Sequence, residues 1–257
     1  MAYALVTGAS KGIGKAIIEE LAQRKIDLLL VARSEELLKQ EAHRLSAHYE
    51  IKTDWLAIDL SSSDASAKIW EWCKVKQYSI YILVNNAGYG LSGPFEKYEL
   101  ADSLNMMHLN MITPVQLCRQ FLPMLHQQPK SYILNIGSSA AYQAVPYLSL
   151  YAATKSFILA FSRGLRQEVR DSTVSVTCIC PGATDTGFAS RAQIGEKGLK
   201  AAEKVNMTAG EVGKIAVSAM FAKKAEVITG LLNKLAASIV WLLPKGWVER
   251  VAMKIYE

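Results

Sequence analysis

The sequence predicts an α/β fold: a doubly wound, mostly parallel sheet with helices on both faces. Two observations predict it. Short apolar runs alternate with segments of helical period from residue 2 to residue 182, the order that builds parallel strands joined by crossover helices. Strand–helix alternation of this kind means a parallel sheet covered on both faces. The length of 257 residues suits one such domain and is long enough to bury a sizeable core.

The elements follow in chain order. Residues 2–7 (AYALVT) form a buried strand, and GASKGIG then opens a helix over 12–24. Residues 27–32 (DLLLVA) are a second strand. RSEELLKQEAHRLSAHYE, 33–50, has helical period, with Ser34 as its N-cap. A third strand falls at 51–58, and the next helix starts around Ser61–Ser63. YSIYILVNNAG holds a fourth strand at 80–85. The segment 99–126 is helical, and Pro114 and Pro123 predict a kink and an end within it. SYILNIG, 131–137, is a fifth strand, 150–170 a long helix, and TVSVTCICPG, 173–182, a sixth strand closed by Pro-Gly. No linker, internal repeat or low-complexity tract divides the chain.

Composition narrows the function classes. The chain is 51% apolar and 20% charged, an ordinary globular mix. Its net charge of +6 favours an anionic partner, a phosphate-bearing cofactor or a membrane surface. No arginine-rich run or nucleic-acid motif is present, so nucleic acid is not expected. Cys73, Cys118, Cys178 and Cys180 form no CxxC pair and the histidines do not cluster near them, so no metal site is expected. Cys178 and Cys180 read as buried free thiols. The first strand begins almost at Met1, so no signal peptide is expected, and a reducing cytoplasm fits. The longest charge-free apolar run near the C-terminus, LAASIVWLL at 235–243, is too short to span a bilayer.

TGASKGIG, 7–14, joins a strand to a helix. Gly8, Gly12 and Gly14, with Ser10, Lys11 and Ile13 between them, make a turn in which backbone can approach a pyrophosphate at a helix N-terminus. The spacing is G-x3-G-x-G rather than GxGxxG, and the strand–turn–helix context makes it a dinucleotide loop. The second strand ends Val31-Ala32-Arg33 without the carboxylate that would bind a ribose 2′-hydroxyl. Arg33, with Ser10 and Lys11, would instead grip a 2′-phosphate, so NADP(H) is expected ahead of NAD(H). The alternative for Arg33 is a solvated residue starting the next helix.

YAATK, 151–155, sets Tyr151 and Lys155 four apart, neighbours on one helix face, with small residues that leave the surroundings open. Alone, the pair reads equally as a surface helix with a snorkelling lysine. In company it does not. TGASKGIG at 7–14, Asp59-Leu60, NNAG at 85–88, Asn110, Ser138, YAATK and PGATDT at 181–186 occur in order, and together they resemble the compact short-chain dehydrogenases/reductases. The resemblance implies a Rossmann-type, doubly wound, mostly parallel seven-stranded sheet. It implies that Ser138 holds the substrate oxygen, that Tyr151 is general acid or base, and that Lys155 lowers the Tyr151 pKa and holds the nicotinamide ribose. Asn110 would hold a water linking Lys155 to solvent; on its own it reads as a polar residue bending a helix. Asp59, Leu60, Asn85, Ala87 and Gly88 would line the adenosine, and Pro181, Gly182, Thr184 and Thr186 the nicotinamide and phosphates.

The expected function is NADP(H)-dependent interconversion of a small-molecule carbonyl (ketone, aldehyde or 3-oxoacyl compound) and its alcohol. The alternatives are a non-catalytic NADP-binding sensor or scaffold and an NAD-dependent alcohol or hydroxysteroid-type dehydrogenase. YGLSGPFEKYEL after NNAG departs from 3-oxoacyl-carrier-protein reductases. Residues 187–207 are expected to be a substrate lid. Leu91, Phe95, Tyr142, Tyr147 and Phe188 are candidate apolar pocket walls, or simply core. Residues 231–257 form an atypical amphipathic tail with Trp241, Trp247, Lys234, Lys245, Arg250 and Lys254. Packing on its own subunit or a dimer contact ranks ahead of membrane contact for this tail. A homodimer or higher homo-oligomer is expected.

Overall fold

In a computed structural model, residues 2–203, 206–240 and 242–256 are described. Trp241, and Lys204 and Val205 of the expected lid, lie outside the described residues. Chain order gives β1 (Ala2–Thr7), α1 (Gly12–Gln23), β2 (Leu28–Ala32), α2 (Glu35–Tyr49), β3 (Thr53–Ala57), α3 (Ala65–Val75) and β4 (Ser79–Asn85). Then come α4 (Leu100–Met107), α5 (Thr113–His126), β5 (Ser131–Ile136), α6 (Ser149–Glu168) and β6 (Val174–Cys180). The last third holds β7 (Thr184–Asp185), α7 (Phe188–Arg191), α8 (Glu196–Glu203), β8 (Met207–Thr208), α9 (Ala209–Phe221), β9 (Glu226–Ile228), α10 (Leu231–Val240) and α11 (Lys245–Tyr256).

Seven strands form one sheet in the order β3-β2-β1-β4-β5-β6-β9, and every neighbouring pair is parallel. The fold is the Rossmann-like arrangement the sequence implies. β2 and β6 are buried along their whole length, which explains the uninterrupted apolar run of β2 and the small size of the two polar residues, Ser175 and Thr177, in β6. Ile17, Leu21, Leu38 and Met220 cover one sheet face and Ile69, Leu117, Phe121 and Leu125 the other. Strand order reverses between β1, which runs on to β2, and β4, which lies on its other side. The crevice there, outside the carboxyl ends of the strands, is where such sheets bind ligands.

Two local expectations change. Pro114 sits in the first turn of α5, and the irregularity expected at it falls in the turn just before. The irregularity is a π-helical turn at His108–Ile112. α5 also continues through Pro123 to His126, since so near the end a proline removes one bond and terminates nothing further. Ser34 is the N-cap of α2 by position, but its side chain makes no capping bond. All four cysteines are free and buried.

Candidate active site

The glycine turn is shaped by close approach. Gly8 and Gly12 have φ of +65° and +55°, which glycine adopts without strain. A Cβ on Gly14 would stand 2.1 Å from the Gly8 carbonyl oxygen, so α1 folds directly against the turn. Asn86 Nδ2 donates to the carbonyls of Thr7 (2.9 Å) and Gly8 (3.1 Å). The Thr7 hydroxyl donates to Val84 O at 3.0 Å and accepts from Asn86 N at 3.0 Å. The loop is thus fastened across the switch point to the end of β4. No side chain caps α1 and its first turn holds no acidic residue, so its leading N–H groups are left for an anion. Thr186 packs on Gly12, 3.0 Å from where a Cβ would be. Arg33 is exposed at the tip of β2 and forms no ion pair among the described residues.

Tyr151 and Lys155 lie on the buried face of α6. Lys155 Nζ donates to Ile136 O at the end of β5, 2.9 Å away, and stands 5.8 Å from the centre of the Tyr151 ring. Ser138 follows β5 directly, and its hydroxyl accepts from Ala140 N at 3.1 Å. Burial pushes the Tyr151 phenol well above its ordinary value, and the Ser138 hydroxyl beside it pulls the other way. Burial pulls the Lys155 ammonium down to about 8. Burial, which disfavours the charged form of both groups, dominates Tyr151 in place of the expected lowering by Lys155. The site walls are apolar, with Leu91, Met106, Leu148 and Phe188 packed around Tyr151.

Other expected contacts are placed differently. Asn85 faces the core: its Nδ2 donates to Asn135 Oδ1 at 2.8 Å and to Cys118 Sγ at 3.3 Å, because strand alternation turns it to the opposite side from Asn86. Leu60 is buried in the sheet-face core, and Ile13 also packs on core, so only their backbones border the crevice. Asp59 Oδ1 accepts from the Ser61 N–H (3.0 Å) and hydroxyl (2.8 Å). The Ser61 N–H, with Arg33 and Arg191 nearby, holds its carboxyl below the usual range. Asn110 Nδ2 donates to Tyr89 O (2.9 Å) and Thr154 Oγ1 (3.0 Å), and its Oδ1 accepts from Tyr89 N (3.1 Å). Both amide donors are used, so its side chain fastens the loop after β4 to α6. Tyr142 bonds Glu226 and packs on Cys178 and Cys180, away from the Tyr151 cluster. Phe95 is 74% exposed and, with Tyr147 and Leu91, lines a separate shallow recess. The Pro181-Gly182 turn meets the site through Pro181 O, which accepts from Ser139 N at 2.7 Å. Thr184 donates to Gly182 O at 3.1 Å.

Comparison with known proteins agrees with this arrangement. Residues 2–197 match the short chain dehydrogenase family. The chain belongs to that family. It is 36% identical over 183 residues to the very-long-chain 3-oxoacyl-CoA reductase-A of Danio rerio, covering 70% of this chain and 57% of that protein. The chain thus spans well under two thirds of the length of the curated relatives it matches. A short-chain dehydrogenase from Sphingobium yanoikuyae, solved with NADPH, superposes with a TM-score of 0.82 at 29% identity, over 94% of each chain. The bulky-bulky ketone specific alcohol dehydrogenase of Comamonas testosteroni superposes at 0.78 and 28%, over 94% of this chain and 93% of that one.

Four features of this dehydrogenase were not read from its sequence. Thr154 is fully buried and bonded to Asn110, so YAATK is crowded rather than open. Tyr89 joins the Tyr151 cluster and donates to Asn105 Oδ1 at 2.9 Å. Arg191 of α7 stacks its guanidinium 4.3 Å from the Tyr89 ring centre. The C-terminal helix α11 turns Val248, Ala252 and Tyr256 inward. The i, i+4, i+8 spacing of these three is the one signal that announces such a face.

Proposed function

We propose that this dehydrogenase uses NADP(H) to reduce an apolar ketone, aldehyde or 3-oxoacyl carbonyl to its alcohol, reversibly. One observation carries the reading: the Ser138 hydroxyl lies beside the Tyr151 phenol, and Lys155 is buried on the same helix face among apolar walls. The residues at the switch point suit the cofactor. The uncapped start of α1 suits a pyrophosphate, and Arg33 suits a 2′-phosphate.

The nicotinamide, when bound, supplies the hydride. The chain's own residues manage the substrate oxygen. As negative charge grows on that oxygen, the Ser138 hydroxyl donates a hydrogen bond to it and the Tyr151 O–H transfers its proton, leaving a phenolate. The Lys155 ammonium, held by Ile136 O, stabilises that phenolate. In the oxidation direction the phenolate takes the proton back. Apolar walls exclude water and select an apolar substrate. The likeness to 3-oxoacyl-CoA reductases and to a bulky-ketone alcohol dehydrogenase supports the carbonyl class, and the likeness to a dehydrogenase solved with NADPH supports the cofactor.

Tyr151→Phe is expected to cut kcat about 100- to 10,000-fold while NADPH still quenches tryptophan fluorescence. Turnover at the wild-type rate would sink the mechanism. Arg33→Ala is expected to weaken NADPH binding by about tenfold or more and leave NADH unchanged; equal losses for both would overturn the cofactor preference.

A further inference from the structure

α10 is oriented opposite to an ordinary surface helix. Its small face points inward: Ala237 is buried, and Asn233 packs on the Pro181-Gly182 turn, 2.0 Å from where a Gly182 Cβ would be. Its large face points outward. Leu231, Leu232, Leu235 and Ile239, spaced on one side of the helix, are 49–73% exposed. Beyond α10, Leu242 is 85% exposed, and α11 exposes Trp247 and Val251. Large apolar side chains exposed along one side of a helix, as on α10, mark a contact surface.

The charges say what it contacts. Lys234, Lys245, Arg250 and Lys254 are all exposed, and Glu249, the sole carboxylate among the described residues of 231–256, is half-buried. Exposed side chains on these two helices are therefore apolar, neutral or cationic. An isologous contact would set this patch against itself, bringing like charges together. An anionic lipid surface complements it: leucines and tryptophan enter the headgroup boundary and the basic residues meet the headgroups. No described helix is long and apolar enough to cross a membrane.

We propose that α10 and α11 together dock this protein on an anionic bilayer surface, lying in the interface with their outer faces. This goes beyond the reaction proposed above and does not depend on it. The inner face of α11 carries Ala252 and Tyr256 against the Tyr151 cluster, so docking sets the lipid surface one helix away from the active-site wall.

Flotation of the full chain with two vesicle types tests it: phosphatidylcholine alone, and phosphatidylcholine with about one-third phosphatidylserine. The bound fraction on anionic vesicles is expected to exceed that on neutral ones by about tenfold or more and to fall with added salt. Leu235→Ser/Ile239→Ser and Lys245→Glu/Arg250→Glu should each abolish that excess while keeping wild-type circular dichroism and Tm, since all four side chains are exposed. Light scattering runs alongside. The proposal is overturned by no flotation of the wild type, by equal flotation on both vesicle types, or by undiminished flotation of both variants. It is equally overturned if the serine variant lowers the solution mass, which would assign the face to a second copy of the chain.

Discussion

Lys155 is 6% exposed and its one hydrogen bond is to the carbonyl of Ile136. Burial lowers its pKa from 10.5 to about 8, and a group that ionises less readily folded than unfolded opposes folding wherever it is charged. Below pH 8 that opposition is complete, on the order of 3 kcal/mol. As pH rises from 8 towards 10.5 the folded protein releases its proton first and the penalty fades. Lys155→Met should therefore raise Tm at pH 7, lose its advantage by pH 10, and turn over negligibly. A variant that melts below wild type at pH 7 would show that the Ile136 bond outweighs desolvation. The same titration predicts an alkaline limb near pH 8 in kcat/KM, absent from Lys155→Arg if that variant retains activity. Tyr151, Lys155 and Ser138 were legible in the sequence through the ordered motifs that resemble the family, since helix spacing alone leaves the pair open to a surface reading. Thr154 and the bonding of Asn110 were not, because both depend on which elements meet across the fold.

At the scale of elements, the glycine turn and α6 make opposite predictions for one substitution. Gly14→Ala would drive a Cβ into the Gly8 carbonyl and to 2.4 Å from Asn86 Nδ2. The first is backbone and the second is held by two hydrogen bonds, so neither yields. The variant should lose several kcal/mol, about 3 or more, with NADPH binding lost in parallel. Gly164 is exposed in α6 with nothing within 4 Å of its Cβ position, so Gly164→Ala should stabilise by about 0.5–1 kcal/mol through helix propensity alone. Thermal melts of the pair check both signs at once. The strands and most helices were readable because short, mostly apolar runs alternate with segments of helical period. The π-turn at His108–Ile112 was not, because HLNMI carries no local mark of it. It places Asn110 between Tyr89 and Thr154, a tertiary requirement that overrides regular helix.

Across the whole molecule, sheet and tail are energetically separable. No described residue beyond Val227 belongs to the two clusters that cover the sheet faces. α11 instead joins the cluster around Tyr151, through Ala252 and Tyr256, and packs against α8. Removing residues 245–257 should therefore leave the sheet folded and the glycine turn able to bind NADPH. The apolar burial lost, mainly Val248, Ala252 and Tyr256, is worth about 2–4 kcal/mol locally. Its effect should appear where the wall is opened. Water reaches the Tyr151 phenol, and the phenol returns towards its ordinary value, because both burial and the nearby Tyr256 hold it up. Turnover of a bulky ketone should fall by about tenfold or more, chiefly through KM, since a wall that fixes the substrate is missing. Amide exchange should quicken in the loop after β4 and at the start of α6 but not in β1, β4 or β5. Unchanged KM with unchanged exchange would show that α11 rests on the cluster without shaping it. Loss of the sheet's protection would show that the tail is part of the folding core.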